Sequence, residues 1–507
     1  MDSPAPPAEN AAGRLDPPHA FCPPEARPFV LVSAVLASSM GFIDGSVVAL
    51  AMPAIRADLG ASLAEGQWIH NSYMLLLSAL VLLGGASGDV LGVRNIFVGG
   101  IVVFTLTSLA CALAPDSQTL IIARAAQGIG AAFMVPGSLA LIAKSYPASE
   151  RGRAIGTWAA FASLTTALGP FVGGMLLAFG EDWMWRLIFA INAPIGLVAV
   201  AMLLRVPRDR PSARRMLDIP GALLATLGLG FMAWGLTAFG EPDGDRLLSP
   251  SAWLALGIAL FAAFVAWEWR APAPMVKLEL FRSPAFAGAN LYTLLVFFGF
   301  NAVLFFLPMT LISAWGALEW EASLMLLPLA LFIAGLSSWV GRLADRIGPR
   351  LPLAIGALLV AASFAGLAAT MPLMQLWTVT FPVLIPLALG MAILVSPLSA
   401  AVMLATPDED TGLASGVNNA VARVSGLIAV AALGAVAGLV FAAWLPTGVA
   451  AEFGARPLEL DAQAEAARVA ASNAAFQAVA AISAAMCALG AAVAWFTQPD
   501  WRGGRVG

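Results

Sequence analysis

Charge is what this sequence most lacks. Of its 507 residues only 11% are Asp, Glu, Lys or Arg, while 60% are apolar and the mean hydropathy is +0.86. A soluble protein covers its surface with roughly a quarter charged residues. A soluble enzyme and a nucleic-acid binder are therefore excluded, and the apolar content excludes fibrous and disordered chains as well. Cysteine and histidine are equally sparse. Cys22, Cys111 and Cys487 stand too far apart for a disulfide framework or a metal site, and His19 and His70 alone build no metal centre. No phosphate loop of the form GxxxxGK[ST] occurs, which argues against ATP-driven transport by this chain alone. No cofactor is implied. What remains is an all-α polytopic membrane protein.

Residues 1–28 hold eight prolines and no long apolar run. They read as a disordered tail and not as a signal peptide. A crossing helix needs about 20 mostly apolar residues. Fourteen such segments follow, near 29–52, 67–88, 95–114, 118–142, 154–179, 187–205, 219–239, 251–269, 285–311, 322–341, 351–370, 377–402, 412–442 and 472–496. Prolines within them do not veto a span, because neighbouring helices satisfy the freed backbone groups. An even number puts both ends on one face. That face collects 19 of the Lys and Arg residues, against 5 on the other. The asymmetry predicts that both termini are cytoplasmic, and the Ala-rich composition suits a bacterial inner membrane.

The chain also repeats itself. GASGDVLGVR (Gly85 to Arg94) and GRLADRIGPR (Gly341 to Arg350) share Gly, Asp, Gly and Arg in one register at an offset of 256. PASERGRAIG (Pro147 to Gly156) and PDEDTGLASG (Pro407 to Gly416) match at an offset of 260. Two homologous bundles in one orientation are expected, as in transporters built from halves, with a site between them near the midplane. The expected plan is a tail at 1–28, a six-helix bundle at 29–205, two inserted helices within 206–284, a second bundle at 285–496 and a tail at 497–507.

Several ordered motifs resemble the major facilitator superfamily, and more narrowly its fourteen-spanner branch of drug:proton antiporters. GDVLGVR and GRLADRIGPR resemble the family's loop between helices 2 and 3 and its second-half copy. LIIARAAQGIGAA (Leu120 to Ala132) is similar to its fourth-helix motif with a buried arginine. LGPFVGG (Leu168 to Gly174) resembles the fifth-helix motif of antiporters, and IDGSVVALAMPAI (Ile43 to Ile55) the branch's first-helix motif with a buried aspartate. WRLIFAINAPIG, LDIPGALLATLGLG and GLASGVNNAVARV fit the same branch. The resemblance implies a major facilitator fold that works by alternating access on small molecules and protons in a lipid bilayer. It is not an enzyme and binds no nucleic acid, and a monomer is the default.

Asp44 is the carboxylate set deepest in a predicted span. An intramembrane charge costs about 2.5–3.5 kcal/mol on insertion scales and commonly marks a pathway. Arg124 falls at a matching depth, so the two are expected to pair. Desolvation raises a carboxyl pKa and a nearby arginine lowers it. A change in either between states lets Asp44 take up or release a proton. The alternative is a structural role, Asp44 tying the first helix and Arg124 bonding backbone carbonyls. Asp89 and Asp345 end helices on the arginine-rich face. With Gly85, Gly92 and Arg94, and with Gly341, Arg346, Gly348 and Arg350, they are expected to act in gating. The physical basis is attraction of each Asp to a helix N-terminus in the other half. Arg423 is expected either to gate on that face or to snorkel to the interface. Gly169, Pro170, Gly173 and Gly174 are expected to form a tight contact of the fifth helix. His70 beginning the second span reads as interfacial, and Trp68 and Tyr73 as an aromatic belt. The function expected is export of amphipathic molecules in exchange for protons. A proton symporter or a dedicated metabolite exporter of the same fold stays open, and a membrane-embedded transferase is a more remote alternative.

Overall fold

The computed structural model describes residues 21–178, 181–209, 211, 216–241, 247–456 and 460–499, apart from the side chains at 163 and 166–168. The two expected tails lie outside the described residues except at 21–28 and 497–499. Arg14, Arg210, Arg214, Arg215, Arg246, Arg502 and Arg505 of the charge asymmetry also lie outside them.

The described chain is helical: α1 (Arg27–Leu59), α2 (Leu63–Leu91), α3 (Val93–Ala112), α4 (Ser117–Ser145), α5 (Ala148–Ala178), α6 (Trp185–Ala190), α7 (Asn192–Leu203), α8 (Ile219–Ala238), α9 (Pro250–Glu268), α10 (Pro284–Trp315), α11 (Glu319–Ile347), α12 (Arg350–Thr370), α13 (Phe381–Leu404), α14 (Thr411–Trp444) and α15 (Ala462–Thr497). Thirteen segments are long and apolar enough to cross a membrane, α6 and α7 forming one of them together. The 31-residue α5 carries a shorter apolar stretch, Gly169–Ala178. Each expected span falls on one of these.

Short polar side chains set where the helices start. Ser62 accepts from the Glu65 amide while the Glu65 carboxylate accepts from the Ser62 amide, a reciprocal cap on α2. Asp116, Asp218, Ser249, Ser283 and Asp461 cap α4, α8, α9, α10 and α15. The Asp461 cap lies ahead of the apolar stretch, so α15 starts at Ala462 rather than near 472. Residues 21–26, assigned from sequence to the disordered tail, instead form a turn with Cys22 and Ala26 buried in an apolar cluster that includes Val30 and Leu203. At the other end Gln498 Nε2 donates to the Ala285 carbonyl at 2.9 Å.

Within the first six crossings α1 packs on α5 and α7, α2 on α4, and α3 on α4 and α7. The last six reproduce that order, with α10 on α14 and α15, α11 on α13, and α12 on α13 and α15. The backbone repeats too. Gly92 and Gly348 take φ of +90° and +80°, a region that favours glycine. Small residues let helices touch: a Cβ on Gly84 would sit 2.1 Å from the Ala132 carbonyl oxygen, backbone against backbone. The helices α8 and α9 pair with each other, and α8 lies against both α2 and α14.

The two sets of six meet along α5–α11, α2–α14 and α1–α10. We call the face with the α2–α3 and α4–α5 connections the arginine-rich face. Ion pairs between described residues that join the two sets lie on the opposite face. There Arg56 donates to Glu452 at 2.9 Å and to the Phe453 carbonyl at 2.7 Å. Arg456 bridges Asp182 and Glu319, the latter at 2.8 Å.

Candidate functional site

Asp44 lies in the middle of α1 and Arg124 in the second turn of α4, and both are fully buried. Arg124 Nη1 donates to Asp44 Oδ2 at 2.6 Å. Gln127 is one turn beyond Arg124 on the same face of α4. Its Nε2 donates to Asp44 Oδ1 at 3.0 Å, and its Oε1 accepts from Arg124 Nη1 at 2.7 Å. Both carboxylate oxygens are thereby satisfied. Gln127 Nε2 also reaches Ser108 Oγ of α3 at 3.2 Å, which accepts from Asn192 Nδ2 of α7 at 2.9 Å. Arg124 Nε donates to the Ile69 carbonyl at 3.1 Å, and its guanidinium lies 4.2 Å from the Tyr73 ring centroid. The expected Asp44–Arg124 pair is therefore present, inside a polar network spanning α1, α2, α3, α4 and α7.

Gln127, Ser108 and Asn192 were not singled out from sequence. The i, i+3 spacing from Arg124 could have found Gln127, whereas Ser108 and Asn192 join only through tertiary packing. Tyr73 is buried beneath Arg124, not in an aromatic belt, while Trp68 meets Trp234 of α8 at 5.2 Å. His70 is likewise buried, 5.1 Å from the Phe305 ring of α10, with Nδ1 unpartnered, and not at the interface. Both corrections have one cause: α2 starts at Leu63, four residues earlier than expected, so these side chains sit deeper.

The glycines of α5 divide their work. A Cβ on Gly169 would meet Ser46 at 3.1 Å and one on Gly173 would meet Val47 at 2.2 Å, both on α1. A Cβ on Gly174 would meet Ser323 Oγ at 2.7 Å and the Glu319 carbonyl at 2.8 Å, on α11 across the two halves. Pro170 lies inside the helix between them.

On the arginine-rich face, Asp89, Asp345 and Arg346 are exposed. Gly85 and Gly341 face Pro136 of α4 and Ser396 of α13. Arg350 lies 4.3 Å over the Trp495 ring. Arg94 is buried and donates to the Leu203 carbonyl at 2.9 Å. Asp209, missed in the sequence because it stands among loop arginines, caps α3. It accepts from the Val93 amide at 2.9 Å and the Arg94 amide at 3.0 Å, and from Lys144 at 2.9 Å. Burial pushes the Asp209 carboxyl up, but the bonds from Lys144 and the two amides outweigh it and hold it below its ordinary value.

Arg423 lies neither at the membrane surface nor beside these acids. It is 12 residues into α14, about 18 Å along the axis. Gly412, Ser415 and Asn419 are exposed below it on one stripe, whereas Gly426, Val430, Leu433 and Ala437 are buried above it. This exposure pattern of α14 is that of a vestibule entered from the arginine-rich face as far as Arg423, and on the opposite face ion pairs join the two sets of helices.

The comparisons with known proteins follow this geometry. Residues 34–430 match the Major Facilitator Superfamily. The chain is 32% identical over 415 residues to the tetracenomycin C resistance and export protein of Streptomyces glaucescens, covering 80% of this chain and 74% of that one. It is 33% identical to the multidrug resistance protein Stp of Mycobacterium tuberculosis (strain CDC 1551 / Oshkosh), covering 82% and 76%. It is 34% identical to the cephamycin export protein CmcT of Amycolatopsis lactamdurans, covering 80% and 84%. Among solved structures, a D-xylose-proton symporter superposes with a TM-score of 0.65 at 17% identity, covering 94% of this chain and 99% of that one. A bacterial homolog of the human lysosomal transporter Spinster gives 0.64 at 19% identity, covering 94% and 99%. These two likenesses speak for the fold alone. With thirteen apolar crossings among the described residues, the repeated helix packing and a match across most of its length, the chain belongs to the Major Facilitator Superfamily and is a multi-pass membrane transporter, not an enzyme.

Proposed function

We propose that the chain exports amphipathic small molecules in exchange for protons by alternating access, with Asp44 as the proton site. The observation that carries this reading is the Asp44–Arg124–Gln127 network, a carboxylate fully buried at the middle of a membrane-crossing helix. The export named for the tetracenomycin C and cephamycin relatives supports the direction of transport. The pairing geometry is that of an ionised carboxylate, and it occurs with the vestibule open to the arginine-rich face. If that face is cytoplasmic, this is the state in which the cavity loads from the cytoplasm.

The arrangement we favour is a bacterial inner-membrane monomer with both ends cytoplasmic. Its halves are 29–205 and 285–496, with the pair from 206–284 inserted between them. Asp89 and Asp345, with the glycines and arginines of their repeat, lock the cytoplasmic side when the molecule turns outward. Gly174 and the ion pairs of Arg56 and Arg456 lock the other side when it turns inward.

The test is proton flux in proteoliposomes under an imposed pH gradient, on addition of a panel of dyes and antibiotics, for wild type and Asp44→Asn side by side. We expect substrate-triggered proton flux in wild type and its loss in Asp44→Asn. Equal flux in the variant removes Asp44 as the carrier. Flux in the same direction as the substrate replaces exchange with symport.

A further inference from the structure

Arg423 carries a charge that no described residue balances. Its Nε donates to Asn419 Oδ1 at 2.8 Å, and among the described residues it makes no ion pair. Arg423 is half-buried, unlike the fully buried Arg124. The ionisable group that feels its field is Tyr73, which also lies under Arg124. The hydrogen bonds of Asp44 go to Arg124 and Gln127, and no ion pair joins it to Arg423.

The position rules out a lipid-facing arginine. Leu427 packs in one cluster with Leu75 of α2, and a Cβ on Gly416 or Gly434 would meet Leu82 or Gln67 of that helix. Asn418 and Ser425 bond to α10. The stripe of Gly412, Ser415, Asn419 and Arg423 runs between those two directions, toward the molecular interior. It is a polar stripe at helical spacing, and Arg423 closes its deep end.

We propose that Arg423 is the contact for an anionic group on the transported molecule, a carboxylate or phenolate carried by an apolar body. An arginine fork offers two parallel N–H donors to such a group. The Asp44–Arg124 pair is neutral as a unit, so Arg423 adds an unpaired positive charge at the deep end of the stripe, which repels cations and attracts anions. This proposal rests on the export reading above and names the substrate class of the same cavity. It changes the energetics of exchange. A monovalent cation leaving against one proton would be electroneutral, whereas a monoanion leaving against one proton carries two charges inward, and the membrane potential drives it.

The field at Arg423 is measurable without knowing the substrate. Cysteine is introduced at Asn419 in the full-length protein, whose native Cys22, Cys111 and Cys487 are buried. Inside-out vesicles are treated with a negatively charged sulfonatoethyl methanethiosulfonate and with its positively charged trimethylammonium counterpart. The ratio of anionic to cationic rate should fall about tenfold when Arg423→Gln is added, and Arg423→Lys should preserve it. If Arg423→Gln fails to fold, the parent still decides: the anionic preference must be larger at Asn419→Cys than at Ser415→Cys nearer the mouth. A ratio indifferent to Arg423, or no reaction with either reagent, overturns the proposal. Fluorescein and rhodamine 123 share a xanthene core and differ in charge, and they supply a second readout. Arg423→Gln should weaken binding of fluorescein alone, and weakening of both dyes alike also overturns it. Proton coupling that survives in Asp44→Asn while the charge ratio stands would remove Asp44 as the proton carrier and leave the anion site.

Discussion

At the scale of single residues, the buried pair decides how variants behave. Removing one partner of a buried ion pair leaves the other charge unpaired in a low dielectric, which costs about 3–5 kcal/mol. Replacing both by neutral groups of similar shape avoids that cost. Arg124→Gln should therefore lower the thermal midpoint of the detergent-solubilised protein far more than the double variant Asp44→Asn/Arg124→Gln. The double variant should keep its fold and lose proton coupling. Thermal unfolding of the four members of the cycle checks this, and additive losses would show that the two groups do not act as a unit. Much of this site was legible in sequence. Counting residues along two predicted spans placed Asp44 and Arg124 at one depth, and opposite charges at one depth in a membrane find each other. Arg423 was harder to place. Its depth could be counted, but whether it faced lipid, a neighbouring helix or a vestibule depends on how α14 is rotated against α2 and α10.

At the scale of elements, the α7-to-α8 connection does more than set topology. The carboxylate of Asp209 sits at the N-terminus of α3, where free amides and the helix dipole favour negative charge, and it also holds Lys144 at the end of α4. A carboxyl whose native pKa is lowered contributes stability above its unfolded value, and that stability is lost as pH falls through the native value. Asp209→Asn should cost about 1.5–3 kcal/mol at neutral pH, the range for hydrogen bonds to a charged group. The gap between wild type and variant should then close as the pH drops below about 4. Melting curves from pH 7 to pH 3 read it directly, and a gap constant across that range would mean that charge is not the cause. Hydropathy could not reveal this contact. A loop's fold depends on which helix ends it spans, and a run of arginines around one aspartate reads as solvated charge. The spans themselves were legible, because apolar runs and capping Ser and Asp residues are local signals. Where they misled, at the start of α15 and at residues 21–26, polar or Pro-rich sequence folds against the body.

At the scale of the whole molecule, the structure is held with one face open and the other sealed, and the strength of the seal sets the population of that state. Arg56 and Glu452 contribute unequally to it. The Glu452 side chain is 56% exposed, so its ion pair is screened and worth about 0–1 kcal/mol. The Arg56 side chain is only 3% exposed, and it also donates to the Phe453 and Ala61 carbonyls. Its loss leaves buried acceptors unsatisfied at about 1–3 kcal/mol each. Buried polar atoms near the same interface pull the other way. His70 Nδ1 and both amide atoms of Asn71 lack partners in this state, and water entering on opening would supply them. The seal is thus a modest difference between opposing contributions, and such a difference is easily tipped. Spin labels at Trp183 and Trp444, exposed on either side of the seal, should show a longer distance when the sealed face opens. Arg56→Gln should raise that long-distance population about tenfold, since about 1.4 kcal/mol is a factor of ten. Glu452→Gln should raise it only a few-fold, and added salt should weaken the Glu452 contribution and leave that of Arg56. Equal shifts from the two variants would mean that the exposed pair, and not the buried arginine, holds the face shut.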